Sequence, residues 1–271
     1  MIFMNKIVLL SIVFVLIFCL PVDCSADKIS LRMPSYSEGF HEYYYELIET
    51  ALTNAGHEVV IEGVVDLPHL RELRMLSRGC LDILWLVRTP ERDKTYIPIP
   101  VPLTNGLFGK RVLLVPAEDL NAYKDVKTLQ DFCNLNKVGG LGSNCFDAGV
   151  WKENKLPCQE VANWRCLYNM IAKRSRGLDY FSRGFNEVID DVKAHDALVI
   201  EPHLLLEYNR DVVFYLSPQK AHLKPIIEEA LLCAKSSGLL DKLIRKYWAD
   251  NFEILKPEGR TVIKLKNIEK L

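Results

Sequence analysis

The strongest chemical signal in the chain is one run, Asp82-Ile83-Leu84-Trp85-Leu86-Val87-Arg88-Thr89-Pro90-Glu91-Arg92. The apolar stretch from Leu81 to Val87 reads as a strand buried on both faces. Thr89 then caps a short helix, with Pro90 at its first position. This sets Arg92 on a helix turn at the carboxyl edge of the strand, with Arg88 beside it. Guanidinium groups placed there suit bidentate capture of a carboxylate or phosphate. Trp85 can stack on the body of the ligand. The plainer alternative is a surface arginine paired with Glu91 or Asp93 and a tryptophan filling the core.

A second signal is Gly139-Gly140-Leu141-Gly142-Ser143-Asn144, between a strand and a helix starting near Cys145. Ser143 or Asn144 can cap that helix, and its free N–H groups favour an anion. The glycine spacing is not the dinucleotide fingerprint, and an ordinary strand-to-helix turn explains the run equally well. A third signal is Asp179 to Glu187, another strand end entering a helix, where Arg183, Asn186 and Glu187 can face a cleft or simply start a solvated helix. Tyr36, in the loop after the first strand, is the ligand-facing candidate of an aromatic group whose other members, Phe40, Tyr43, Tyr44 and Tyr45, fall mostly on a core face by helical spacing.

No G-x-S-x-G, H-E-x-x-H or G-x-x-x-x-G-K-[ST] occurs, and no two of the six histidines are spaced for a helical metal site. Glu201-Pro202-His203 is the only acid and imidazole close together that tempts an acid–base reading, and a strand-end turn accounts for it. Neither a metal nor a cofactor is expected.

The elements that must position these residues alternate between strand and helix. Lys28 to Met33 alternates like a strand, Phe40 to Asn54 has helical periodicity ending at Gly56, and His57 to Ile61 returns to strand. A helix over Leu67 to Ser77 precedes the buried strand. Tyr96 to Leu103 holds three prolines and can be neither a central strand nor a helix. Phe108 to Pro116 opens a second α/β unit with helices at Thr128–Cys133, Cys145–Glu153 and Trp164–Arg174, and strands at Lys137–Gly140, Leu178–Phe181 and Ala197–Ile200. After the strand at Val212–Leu216 come two amphipathic helices, Lys220–Lys235 and Leu239–Ala249, and then an exposed or loosely docked tail. Two α/β units bracketed by extended crossings predict two lobes with a cleft: residues 27–107 plus 213–271 in lobe 1 and 108–212 in lobe 2.

Lys and Arg total 34 against 35 Asp and Glu, a formal net charge of −1. That balance gives no broad footprint for nucleic acid or an anionic membrane. Lys6, the uncharged run Ile7 to Leu20 and the small residues up to Ala26 have the form of a secretory signal peptide, cleaved after about Ala26. The run is shorter than the roughly 20 residues that span a bilayer. An exported, periplasmic chain keeps Cys80, Cys133, Cys145, Cys158, Cys166 and Cys233. In an oxidising compartment the middle four can form one or two disulfides, or remain as free, mostly buried thiols.

Taken in order, Asp82-Ile83-Leu84-Trp85, Thr89-Pro90-Glu91-Arg92, a crossing strand at Gly109–Val115, Gly142-Ser143-Asn144 at a helix start, and the closing stretch Gly238 to Trp248 make the chain similar to the extracellular solute-binding proteins of family 3. These are type 2 periplasmic binding proteins serving polar amino acid ABC transporters. The resemblance covers about residues 28 to 250. It implies two lobes joined by two crossing strands that close on a small ligand, with a membrane permease as partner and a monomer in solution. It also implies that Arg92 grips an α-carboxylate, helped by Ser143 and Asn144. An acidic residue after the strand at Leu178–Ser182 would take an α-amino group, but Arg183 and Gly184 occupy that place and only Glu187 offers a carboxylate nearby. Arg92 and Arg183 on one cleft would suit a diacid or another anion, so the expected ligand is small and polar, anionic or amino-acid-like. Two other readings stay open: a dehydratase-like enzyme on the same fold, with Glu187 or His203 as acid or base, and a non-transport sensor or interaction module.

Overall fold

The computed structural model describes residues 28–37, 39, 41–143 and 145–268. The expected signal peptide, Phe40 and Asn144 lie outside the described residues. Among the described residues no helix is long and apolar enough to cross a membrane.

The first unit runs β1 (Lys28–Ser35), α1 (Glu42–Asn54), β2 (Glu58–Val65), α2 (His69–Ser77), β3 (Ile83–Val87), α3 (Pro90–Thr95) and β4 (Ile97–Ile99). Strands β1 and β2 pair in parallel, Lys28 opposite Glu58. Helix α1 buries Tyr43, Tyr44, Leu47, Ile48, Ala51 and Leu52, one stripe at helical spacing. Gly56, at φ +91°, then adopts the left-handed turn open to glycine and releases the chain into β2. Strand β1 is tied to the start of β3 through Asp82, whose backbone N–H bonds the Arg32 carbonyl at 2.9 Å and whose carboxylate accepts from Arg32 Nε at 3.0 Å.

The second unit holds β5 (Lys110–Val115), α4 (Leu129–Asn134), β6 (Gly139–Gly142), α5 (Phe146–Glu153), β7 (Cys158–Val161), α6 (Cys166–Ala172), β8 (Tyr180–Gly184), α7 (Val188–Ala194), β9 (Val199–Ile200) and β10 (Leu204–Glu207). Thr128 caps α4 in a reciprocal box with Asp131. Five consecutive residues of β5 are buried, as a strand covered on both faces requires. The chain then returns to lobe 1 as β11 (Val212–Leu216), α8 (Lys224–Ser236), α9 (Leu239–Tyr247) and α10 (Ala249–Leu255), and ends in β12 (Thr261–Lys264).

Strand β11 is buried throughout and lies between β3 and β4, antiparallel to both. The proline-bearing β4 is thus a three-residue edge, which fits its composition. The second sheet runs β12-β10-β5-β8-β6-β7, with β9 also on β5. The closing residues, expected as an exposed or loosely docked tail of lobe 1, instead give β12, which pairs with β10 in the lobe 2 sheet. Arg260 fixes that return by donating to the carbonyls of Glu201 and Leu204.

The disulfide expectation is corrected. All six described cysteines are free, and Cys80, Cys166 and Cys233 are exposed. Cys133, Cys145 and Cys158 pack instead as apolar groups against the core around Trp151 and Tyr180. Burial pushes the Cys145 and Cys158 thiols up, which disfavours the thiolates that disulfide exchange needs.

Candidate functional site

The corner after β3 forms as its residue types require. Thr89, in extended backbone, accepts from the Arg92 N–H at 3.3 Å, and Pro90 opens α3. Arg92 then turns inward: its Nη1 donates to the Val87 carbonyl at 2.5 Å, and burial pulls its guanidinium below the usual arginine range. Arg88 pairs with Asp93 at 2.9 Å, whose other oxygen accepts from the Tyr215 hydroxyl at 2.6 Å. Trp85 points the other way. Its ring stacks on Tyr44, centroids 4.2 Å apart and 13° from parallel, while Tyr36 meets it edge-on. Tyr36 is held by its hydroxyl bond to Glu72.

Arg183 leaves β8 over the neighbouring rings of Trp164 and Phe181, its guanidinium 5.1 Å from each centroid. Its Nε donates to Asp191 at 2.5 Å and its Nη2 lies 3.3 Å from Glu187. Asp191 also accepts from the Tyr168 hydroxyl at 2.6 Å. The turn from β8 into α7 is set by Glu187, which accepts from the Gly184 N–H at 3.0 Å. The charge of Arg183 is therefore answered within lobe 2.

Between the lobes lies a cleft of about 840 Å³. Its aromatic wall is Tyr43, Tyr44, Trp85, Phe108, Tyr247 and Trp248. Tyr43 packs 4.8 Å from Trp248, which sits in the break between α9 and α10. Its polar lining is Asn186, Glu187, Asp190, Asp191, Lys193, Lys246, Asp250 and Asn251. Lys246 and the Tyr247 hydroxyl both bond Glu46, which holds that carboxyl below its usual range. Asn251 reaches from α10 to the Phe185 carbonyl at 2.7 Å and fastens the C-terminal helices to lobe 2.

Of the residues singled out from sequence, Trp85, Asn186 and Glu187 meet in this cleft. Tyr36 stands behind Trp85; Arg88, Arg92 and Arg183 are engaged as described, and Ser143 is exposed at the end of β6. None of these five lines the cleft. Sequence reasoning missed Tyr43, Tyr44 and the segment Lys246 to Asn251. The two tyrosines carry the spacing of a core stripe and are indeed buried, yet one edge of each is left to the cleft. The late segment has no local mark beyond an aromatic pair at the end of a helix. His203 stands elsewhere: its backbone N–H bonds the buried Glu201 carboxylate, which holds the turn before β10.

The two crossings, residues 100–109 and 208–211, run side by side. Leu103 N–H bonds the Val212 carbonyl at 3.0 Å, and Tyr208 N–H bonds the Gly109 carbonyl at 3.1 Å. A Cβ on Gly109 would lie 1.9 Å from the Tyr208 oxygen, so only glycine fits this approach. Asp211 accepts from Thr104 Oγ1 at 2.6 Å and from the Gly106 N–H at 2.7 Å.

No protein-family model matches the sequence. No curated protein matches it either. Solved structures do match in shape. A binding component of an ABC transporter from Wolinella succinogenes, complexed with lysine, is 12% identical, with 82% of this chain and 96% of that one covered at a TM-score of 0.54. The GluR0 ligand-binding core in complex with L-glutamate is 13% identical, covering 81% and 98% at a TM-score of 0.52. An ancestral amino acid-binding protein, a precursor of cyclohexadienyl dehydratase, is 17% identical, covering 81% and 95% at a TM-score of 0.50. These likenesses establish the fold, the two-lobed α/β architecture of type 2 periplasmic binding proteins.

Proposed function

We propose that this chain is an exported, periplasmic solute-binding protein. It captures a small polar, amino-acid-like solute between its lobes and presents it to an ABC-type permease, as a monomer and without a cofactor. The lobes divide near residues 107 and 212, with a further passage between α10 and β12, and the two bonded crossings serve as the hinge. The observation that carries this reading is the cleft: Tyr44 and Trp85 from lobe 1 and Asn186 and Glu187 from lobe 2 line one space. Its volume falls in the range of about 300–1,000 Å³ usual for small-molecule sites. An anionic solute is less well supported, because Arg92 and Arg183 are already engaged within their own lobes.

The enzyme reading finds less support. His203 lies outside the cleft lining, and Glu187 there has Arg183 and a backbone N–H as partners rather than a matched acid or base. The test is thermal unfolding of the purified chain with a panel of amino acids, amines, diacids and sugar acids. A ligand at 100 times its dissociation constant adds about 2.7 kcal/mol, a rise of several degrees. No shift with any compound would overturn the capture reading.

A further inference from the structure

We propose that the cleft selects an organic cation, an amine or guanidine recognised through its charged nitrogen, and needs no carboxylate on its ligand. This rests on the capture reading above and narrows it. Four carboxylates line the cleft, Glu187, Asp190, Asp191 and Asp250, against the two lysines Lys193 and Lys246. The partners already in place do not close the gap. Arg183 is shared between Glu187 and Asp191, Lys193 lies 3.5 Å from Asp190, and Lys246 is paired with Glu46. Among the described residues two of these negative charges stay unanswered, and Asp250 makes no ion pair.

The opposite wall supplies the second half of a cation site. Half-buried Trp85 and Trp248 give the cleft aromatic surface beside the acidic lining, backed by the buried Tyr44 and Tyr43. An ammonium over such faces is attracted by the ring quadrupole. A carboxylate finds no counterpart there. The lining holds no arginine, and both of its lysines already face carboxylates. Desolvating an anion within this field, with nothing to pair it, is unfavourable.

Matched pairs that differ by one carboxylate test this directly. Isothermal titration of the purified chain would compare agmatine with arginine, cadaverine with lysine and tyramine with tyrosine, with glutarate as the anion. At least one amine is expected to bind about tenfold or more tighter than its amino acid, and glutarate not at all. Asp250→Asn should weaken that amine about tenfold, and Ser143→Ala should leave it unchanged. Asp250 and Ser143 are both exposed, so neither variant threatens folding. Amino acids binding as tightly as their amines, or glutarate binding at all, would overturn the selection while leaving capture intact. Absence of binding across these pairs overturns the selection too, and the wider thermal panel then decides whether capture itself stands.

Discussion

The carboxylate of Asp211 joins the two crossings by accepting from Thr104, both from Oγ1 at 2.6 Å and from the backbone N–H at 3.2 Å. The first crossing is thereby fixed to the second at the point where the lobes must pivot. Tyr43 adds a bond from α1 to the Leu103 carbonyl next to it. Asp211→Ala leaves the Thr104 and Gly106 N–H groups without this acceptor and should cost about 1–3 kcal/mol. Burial pushes the Asp211 carboxyl up against the bonds it accepts. A raised folded-state value means its contribution is fully present below about pH 3.9 and shrinks as pH rises through the folded value. Urea unfolding at pH 3.5 and pH 7 should therefore show the larger deficit for the variant at acid pH.

Asp147 should behave with the opposite sign. It stands between Arg111, at 2.9 Å, and Arg210, at 2.7 Å, and accepts from the Tyr208 hydroxyl. Burial alone would raise its carboxyl, but the two guanidiniums outweigh it and hold it below the usual range. Asp147→Asn strands buried Arg111 and should cost about 3–5 kcal/mol at neutral pH. A depressed folded-state value gives stability present above about pH 3.9 and lost below it. The deficit of this variant should shrink as unfolding is measured from pH 7 down to pH 3.

Trp85→Ala removes one face of the Tyr44 stack. The ring is only half-buried, so the stability loss should stay under about 3 kcal/mol. Affinity for whichever panel compound gives the largest thermal shift should fall about tenfold or more. Equal affinity in the variant, measured by titration calorimetry, would place the solute away from the aromatic wall.

The thiols give a chemical check on the fold. Cys80, Cys166 and Cys233 should react with a thiol reagent in the folded chain, while Cys133, Cys145 and Cys158 wait for denaturant. Mass spectrometry before and after reduction should show the same mass. Two hydrogens gained per bridge on reduction would contradict the packing around Trp151.

Much of the frame was legible because it is written locally. The apolar run at Ile83–Val87, the Thr89 cap and Pro90 are short-range signals, and each falls where its chemistry put it. The site was less legible, because its residues meet through tertiary packing. Arg92 carries every local mark of an anion grip, yet the Val87 carbonyl five residues back is a nearer partner than the cleft. Arg183 likewise has Glu187 and Asp191 one helical turn and two turns ahead. Trp248 and Asp250 enter the cleft only because α10 is fastened to lobe 2 through Asn251 and Phe185, a contact 66 residues apart in sequence. Strand β12 was missed for the same reason, since a four-residue edge strand gains its identity from β10.

Capture requires that the lobes close on a small solute. Small-angle X-ray scattering reads that closure, with and without a saturating amount of the panel compound that gives the largest thermal shift. The bound chain should have the smaller radius of gyration. An unchanged radius at saturation, or a panel in which no compound raises the unfolding midpoint, would contradict capture.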